Sequence, residues 1–255
     1  MKTRSIAIGD INQIGDHLVM RGDCRDAPLV GNVIGKNRVN LIVSDIPYGV
    51  AYVENRQSTG KIKHAPIAND HLQSEDEFSV FTQAWLDAVK PFMAPKNTAY
   101  VFCGDRMLFA FRDGLLKSGW KFGQILFWLK TAAVLGRLDY SPQHETLVSF
   151  WHGAHNFYKS KDKSIIIHPK PAKNKFHPTE KPIPVLRRFI LNSSRIGDLV
   201  YDPFAGSGTT ALACEMTKRR SISIEVEEQY CRVIIERLEK LTGKKAVLLS
   251  SLSHV

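Results

Sequence analysis

Long apolar runs are missing. No stretch of the 255 residues approaches the ~18 consecutive apolar positions that a bilayer span requires. The opening MKTRSIAIGD likewise lacks the apolar segment of an export signal, so a cytoplasmic location is expected. Cysteine is scarce: Cys24, Cys103, Cys214 and Cys231 lie far apart, with no C-x-x-C pair. That spacing argues against zinc and thioredoxin-type chemistry and leaves reduced, mostly buried thiols. Internal repeats and low-complexity tracts are absent. Negative charge is in deficit, with 25 Asp and Glu against 35 Lys and Arg, a formal net charge of +10. A surplus of that size is silent about fold but points to an acidic partner, nucleic acid before any other.

With 44% hydrophobic and 24% charged residues, the chain has the composition of an ordinary globular protein. Strand-like runs alternate with helical patterns, which predicts a mostly parallel α/β sheet in a single domain over 1–255. Residues 17–23, 39–45, 98–104, 198–204 and 221–226 read as strands, and the runs 122–129 and 146–152 read as a strand pair near the sheet edge. Phe78, Phe81, Trp85, Ala88, Val89 and Phe92 follow helical spacing. Further helices are predicted over about 105–118, over 184–194, in TTALACEMTK and in the amphipathic EEQYCRVIIERLEKLT. Three stretches fit no regular element: 52–71, 131–145 and 153–178. Long loops in a compact domain are usually functional or mobile.

DPFAGSGTT lies between a buried strand and a helix. Gly206 and Gly208 allow a tight turn and a close approach of ligand to backbone. The helix that follows offers free N–H groups and the positive end of its dipole. Three readings compete. A phosphate-binding P-loop needs Lys before the closing Ser or Thr, whereas Thr209 and Thr210 follow Gly208 directly. A dinucleotide fingerprint needs a third glycine where Ala211 stands. The third reading is a nucleoside site without phosphates, of the S-adenosylmethionine kind. Glu225 favours it, because it ends the next strand roughly 20 residues on, where an acidic side chain accepts hydrogen bonds from both ribose hydroxyls.

A second strand end has the same outline: VNLIVSD runs into Ile46, Pro47 and Tyr48. Alone, DIPY reads equally well as a strand running into a turn. With DPFAGSGTT and HPTEKP (177–182) it resembles the amino-group DNA methyltransferases, standing for their D-P-P-Y motif, cofactor turn and preceding block. The D-P-P-Y block comes first and the cofactor turn near the C-terminus, an order similar to that of the β group, a circular permutation of the usual methyltransferase order. The resemblance spans about 21–238. It implies a Rossmann-like S-adenosylmethionine-dependent fold, circularly permuted, with a mostly parallel seven-stranded sheet and helices on both faces. It also implies S-adenosyl-L-methionine as cofactor. Asp23, with Cys24 beside it, would meet the adenine amino group, Phe204 would line the pocket, and Gly206, Gly208 and Thr209 would form the turn. Glu225 would hold the ribose, Thr179 and Lys181 would lie near the methionine carboxylate, and Asp202 near its amino group.

The implied reaction is an in-line transfer of a methyl group from sulfonium to an exocyclic amine. One Asp45 carboxylate oxygen accepts an amine N–H and the backbone carbonyl of Ile46 accepts the other, which aims the nitrogen lone pair at the methyl. No covalent intermediate is required. This fits the absence of a Pro-Cys pair, the nucleophile of an enzyme that methylates carbon 5 of cytosine. A base inside a duplex must be flipped out. Stacking of that base on Tyr48 is worth ~1–3 kcal/mol, and Pro47 keeps Ile46 extended. Ile46 stands where the family usually has Pro, but its expected contact is through the backbone. Asp at the first position resembles the adenine-N6 enzymes, whereas cytosine-N4 enzymes more often carry Ser. Site-specific adenine-N6 methylation of double-stranded DNA is therefore implied, with cytosine N4 as the alternative. A non-catalytic DNA-binding module and a methyltransferase acting on RNA or a protein amide are the other readings.

Between 159 and 175 there are six lysines and one acidic residue, Asp162. Target recognition is accordingly expected in 131–176, with Lys159, Lys161, Lys163, Lys173 and Lys175 on phosphates. Arg137, Gln143, His144 and Asn156 are the candidates for base readout. The loop 52–71, with Arg56, Lys61 and Lys63, is a candidate lid over the flipped nucleotide. No metal is expected. The recognition sequence, a homodimer and a restriction endonuclease partner are left open.

Overall fold

The structure is a computed structural model that describes residues 5–48, 74–133, 139–159, 161–170 and 180–250. Its strands are β1 (Ile11–Ile14), β2 (His17–Arg21), β3 (Val39–Asp45), β4 (Met93–Cys103), β5 (Lys121–Leu129), β6 (His144–Trp151), β7 (Ala154–His155), β8 (Ile165–Ile167), β9 (Leu199–Asp202), β10 (Arg220–Glu225) and β11 (Val247–Ser250). Its helices are α1 (Ala27–Ile34), α2 (Glu75–Val89), α3 (Leu108–Lys117), α4 (Ile183–Ser193), α5 (Thr209–Met216) and α6 (Glu228–Thr242).

The sheet runs β11-β1-β2-β10-β9-β3-β4-β6-β5-β8, with β7 set against the start of β4. β2, β10, β9, β3 and β4 pair parallel, while β6 is antiparallel between β4 and β5. The consecutive strands from β2 to β5 are the seven read from the sequence. Their legibility follows from burial on both faces, which turns a parallel strand into a nearly unbroken apolar run. The flanks differ from expectation. β5 and β6 pair near one edge as expected, but short β8 forms that edge, and β1 and β11 extend the opposite side. These added strands are three or four residues long, too short to show a period. β6 lies inside 131–176 and is an interior strand.

Alternation along β3 fixes the layers. Leu41 and Val43 join Phe189, Ile190 and Cys214 of α4 and α5 in one core cluster. Ile42 joins Phe78, Trp85 and Phe111 of α2 and α3 in another. α2 begins in a capping box between Ser74 and Glu77, and Phe78, Phe81, Trp85, Ala88 and Val89 are buried as their spacing predicts. Phe92 falls in the 3-10 turn Lys90–Phe92 that follows, where Pro91 interrupts the helix. The predicted helix at 105–118 divides into a 3-10 turn, Asp105–Met107, and α3. Gly114 lets α3 close on α2: a Cβ there would lie 2.3 Å from the Ser79 carbonyl oxygen. α1, not read from the sequence, starts at Asp26, whose carboxylate accepts the Leu29 N–H. All four cysteines are buried and unpaired. Among the described residues, no helix is long and apolar enough to cross a membrane.

Candidate active site

The winding of the sheet reverses between β3 and β9. From β9 the chain passes through α5 to β10 on one side, and from β3 through α2 to β4 on the other. Such a reversal leaves a crevice outside the carboxyl ends of the two strands. The strands pair directly, Leu41 with Val200 and Ile42 with Tyr201. Just beyond, the Ser44 hydroxyl donates to Asp202 Oδ1 at 2.6 Å. The sequence "SDIPY" and the sequence "DPFAGSG" are thus two walls of one crevice.

On the β3 wall, Asp45 accepts from the Tyr48 hydroxyl at 2.9 Å on Oδ1 and from Lys181 Nζ at 2.6 Å on Oδ2. Its side chain is 25% exposed, which leaves it reachable from the crevice. Ile46 is buried. The Tyr48 side chain lies on Gly104 at the end of β4, where an added Cβ would come within 3.2 Å of it. Lys181, only 6% exposed, also reaches Glu145 Oε2 at 3.1 Å and sits over the rings of Tyr48 and Phe102. Glu145 in turn accepts from Lys130 at 2.9 Å. Burial pushes the Asp45 carboxyl above the usual aspartate range despite the Lys181 ammonium. Burial acts the same way on Glu145, but Lys181 and Lys130 together outweigh it and hold that carboxyl low.

On the other wall, Gly206 and Gly208 both adopt positive φ, and Gly208 opens α5 with no side-chain cap. Glu225 Oε2 accepts the Gly206 N–H at 2.8 Å, and Oε1 accepts the Glu227 N–H at 2.9 Å. Burial raises Glu225 to about 7 and Asp202 to about 6. Phe204 packs on Phe81 and Trp85. At the end of neighbouring β2, Asp23 is paired with Arg25 at 2.6 Å. That contact outweighs partial burial and holds its carboxyl low. Cys24 beside it is buried, and burial drives its thiol well up. Glu180 ties the turn to α6, accepting from Arg237 at 2.6 Å and from Thr209 at 3.4 Å.

Residues 39–236 match the family model for DNA methylases of the N6/N4 type. The chain belongs to this family. The methyltransferase is 25% identical over 241 residues to the type II methyltransferase M.HpaI of Haemophilus parainfluenzae, covering 85% of this chain and 73% of that protein. It is also 25% identical over 221 residues to the type II methyltransferase M2.DpnII of Streptococcus pneumoniae, covering 79% and 82% of the two chains. Among solved structures, the PvuII DNA methyltransferase, described as cytosine-N4-specific, is similar with a TM-score of 0.71 at 16% identity over 91% of this chain and 92% of that one. The M1.HpyAVI-SAM complex is similar with a TM-score of 0.64 at 23% identity over 86% and 98%. These two are likenesses of fold.

The methyltransferase places Asp45, Ile46, Pro47 and Tyr48 at and just past the end of β3, and Asp23, Cys24, Asp202, Phe204, Gly206, Gly208, Thr209 and Glu225 at and just past the ends of β2, β9 and β10. Lys181 departs from expectation. The sequence places it near the cofactor's carboxylate, but its ammonium lies on Asp45, while Glu180, its neighbour, faces the glycine turn. Consecutive side chains of an extended segment point to opposite sides, and this segment runs between the two walls. Gln143 and His144 precede Glu145 at the start of β6, where Gln143 donates to the Lys130 carbonyl and His144 pairs with Asp105 at 3.2 Å. Lys159, Lys161 and Lys163 are not brought to Asp45. Lys159 is 4.0 Å from Asp162, and Lys161 and Lys163 line a cavity of about 390 Å³ with Tyr100, Gln124, Trp151 and Arg188. Asn156 is held under β4, its carbonyl and side-chain oxygens accepting from Thr98. Thr179, Arg56, Lys61, Lys63, Arg137, Lys173 and Lys175 lie outside the described residues. The sequence reading missed Glu145, Lys130, Glu180 and Gly104. One signal was present: a Glu at the head of the apolar run ETLVSFW and a Lys at the tail of FWLK are charges where burial is due.

Proposed function

We propose that this methyltransferase moves a methyl group from S-adenosyl-L-methionine to the N6 amino group of a flipped adenine in double-stranded DNA. The observation that carries the reading is Asp45, a buried-edge carboxylate one strand away from Asp202 and the glycine turn. The cofactor suits the second wall. Asp202 and Glu225 are raised by burial, so a cationic ligand beside them would offset the cost of ionising them there. The uncapped start of α5 leaves N–H groups for a polar ligand. The solved M1.HpyAVI complex contains SAM. When bound, this cofactor supplies an electrophilic methyl group.

The chain's own residues then act on the amine. Ionised Asp45 accepts one amine hydrogen, and the carbonyl of Ile46 is the second acceptor. Both contacts strengthen as positive charge grows on nitrogen, so they favour the transition state over the ground state. Tyr48, seated on Gly104 and tied to Asp45, offers a ring for base stacking. Adenine is preferred because Asp stands first in the tetrapeptide. Cytosine N4 is the second reading, favoured by the likeness to the cytosine-N4-specific PvuII enzyme.

The test is transfer of labelled methyl to unmethylated DNA followed by nucleoside analysis. N6-methyladenine is the expected product, and N4-methylcytosine alone would replace the first reading with the second. Asp45→Ala is expected to lower kcat by roughly 10²–10³-fold, the scale of losing one preorganised charge contact. Full turnover by that variant would overturn the mechanism.

A further inference from the structure

We infer that Glu145 and Lys130 are positioning residues for methyl transfer, which keep Lys181 on the base-binding wall so that it fixes the Asp45 carboxylate. This rests on the reading of Asp45 as the amine's acceptor. Four charges alternate through the crevice floor: Lys130 to Glu145 at 2.9 Å, Glu145 to Lys181 at 3.1 Å and Lys181 to Asp45 at 2.6 Å. They come from the residue after β5, from β6, from the approach to α4 and from β3, so no single element holds them together. Lys130 and Lys181 are 7% and 6% exposed. At that burial each ammonium needs a carboxylate, and removal of one partner strands another charge.

The geometry explains why two carboxylates share Lys181. Tyr48 occupies Asp45 Oδ1 and Lys181 occupies Oδ2. These contacts set the plane of the carboxylate, and its remaining lone pairs are the ones available to an amine. A lysine paired with Asp45 alone would draw off much of that acceptor strength. Glu145 takes part of the ammonium's charge and also lies 3.5 Å from the Tyr48 hydroxyl. Lys181 and then Lys130 keep Glu145 ionised, and the 2.9 Å contact to Lys130 holds it in place.

The groups that face Asp45 are Tyr48 beyond β3, Cys103 on β4, Glu145 on β6, Asp202 on β9 and Lys181 before α4. Burial raises Asp45, Lys181 lowers it and Glu145 raises it. Removing the Glu145 charge therefore eases Asp45 ionisation. The acid limb of the rate profile, where Asp45 takes up a proton and loses its acceptor role, should move to lower pH.

The experiment measures kcat against pH on unmethylated DNA for the full chain and for Glu145→Gln, Glu145→Asp and Lys181→Met. S-adenosylhomocysteine affinity is measured by calorimetry on each. Glu145→Gln is expected to lower kcat about tenfold, move the acid limb down and leave the Kd within twofold. Glu145→Asp should return the limb to its wild-type position. Lys181→Met should lose kcat without losing affinity for the cofactor product. An unmoved limb in Glu145→Gln overturns the inference, as does a tenfold weaker Kd in Lys181→Met, which would assign Lys181 to the cofactor. If Glu145→Gln does not fold, Lys181→Met and Glu145→Asp decide between the same outcomes. Failure of the underlying reading looks different: the wild type transfers no methyl, or Asp45→Ala transfers it fully.

Discussion

Burial raises the Glu225 carboxyl to about 7, even though the N–H groups of Glu227 and Gly206 pull it part of the way back. The same cause holds Asp202 at about 6, against hydrogen bonds from Ser44, Thr210 and the Phe204 N–H. A carboxyl whose folded value exceeds its unfolded value keeps its proton longer in the native state. The native state thus binds more protons between the two values, and stability falls as pH rises through that window. For Glu225 the window runs from the ordinary 4.5 to about 7. Asp162 has the opposite dependence, because Arg188 above all holds its carboxyl far below the ordinary range, but its window lies well under pH 4. The melting temperature of the protein without cofactor is therefore expected to fall between pH 5 and pH 8. Glu225→Gln should flatten the upper part of that fall by roughly 3–8 °C, at ~2–4 °C per kcal/mol for a chain of this size. Calorimetric melts at matched ionic strength check this. A melting temperature that rises across the interval would show that these carboxyls are ionised at little cost.

The glycine turn between β9 and α5 works as an element because one residue satisfies two demands. Gly208 has φ +80, and a Cβ there would sit 2.8 Å from Ile234 Cγ2 on α6. Gly197 has φ +82 with nothing within 4 Å of its Cβ position. Both Gly→Ala variants incur the left-handed backbone cost of ~1–2 kcal/mol. Only Gly208→Ala also forces α5 and α6 apart, adding ~1–3 kcal/mol of overpacking. Denaturant midpoints should therefore rank Gly208→Ala below Gly197→Ala. Equal losses would mean that α6 yields freely. This turn was legible in the sequence because its chemistry is local: two glycines, a buried strand before and a helix after. The seven inner strands were legible for the same reason. β1, β8 and β11 were not, since three or four residues carry no period and pairing depends on partners far along the chain. Nor was the side taken by Lys181. A tetrapeptide shows that a lysine precedes a helix, but only the fold shows which wall its ammonium reaches. Glu145 reads only as a charge at the head of an apolar run, and its partners Lys130 and Lys181 are brought to it by the fold.

At the scale of the whole molecule, a formal charge of +10 gives the protein a basic field, and where the lysines sit decides which of them meet phosphates. On the proposed reading, Asp45 marks the end of the crevice that receives the target base. Lys161 and Lys163 line a separate cavity with Tyr100 and Trp151. That cavity lies between β4 and α4, with Thr98 and Asn156 at the amino-terminal part of β4, whereas Asp45 pairs with Phe102 at its carboxyl-terminal part. The double reversal Lys161→Glu with Lys163→Glu is therefore expected to leave the slope of log affinity against log salt within ~0.5 of wild type, since each phosphate contact contributes ~0.9. Filter binding or fluorescence anisotropy on a short duplex across about 50–200 mM salt measures it. A fall in slope of roughly 2 would put both lysines on the DNA backbone. It would also require the duplex to reach from the crevice to the cavity between β4 and α4. An unchanged slope instead leaves phosphate neutralisation to basic residues nearer the carboxyl ends of the strands.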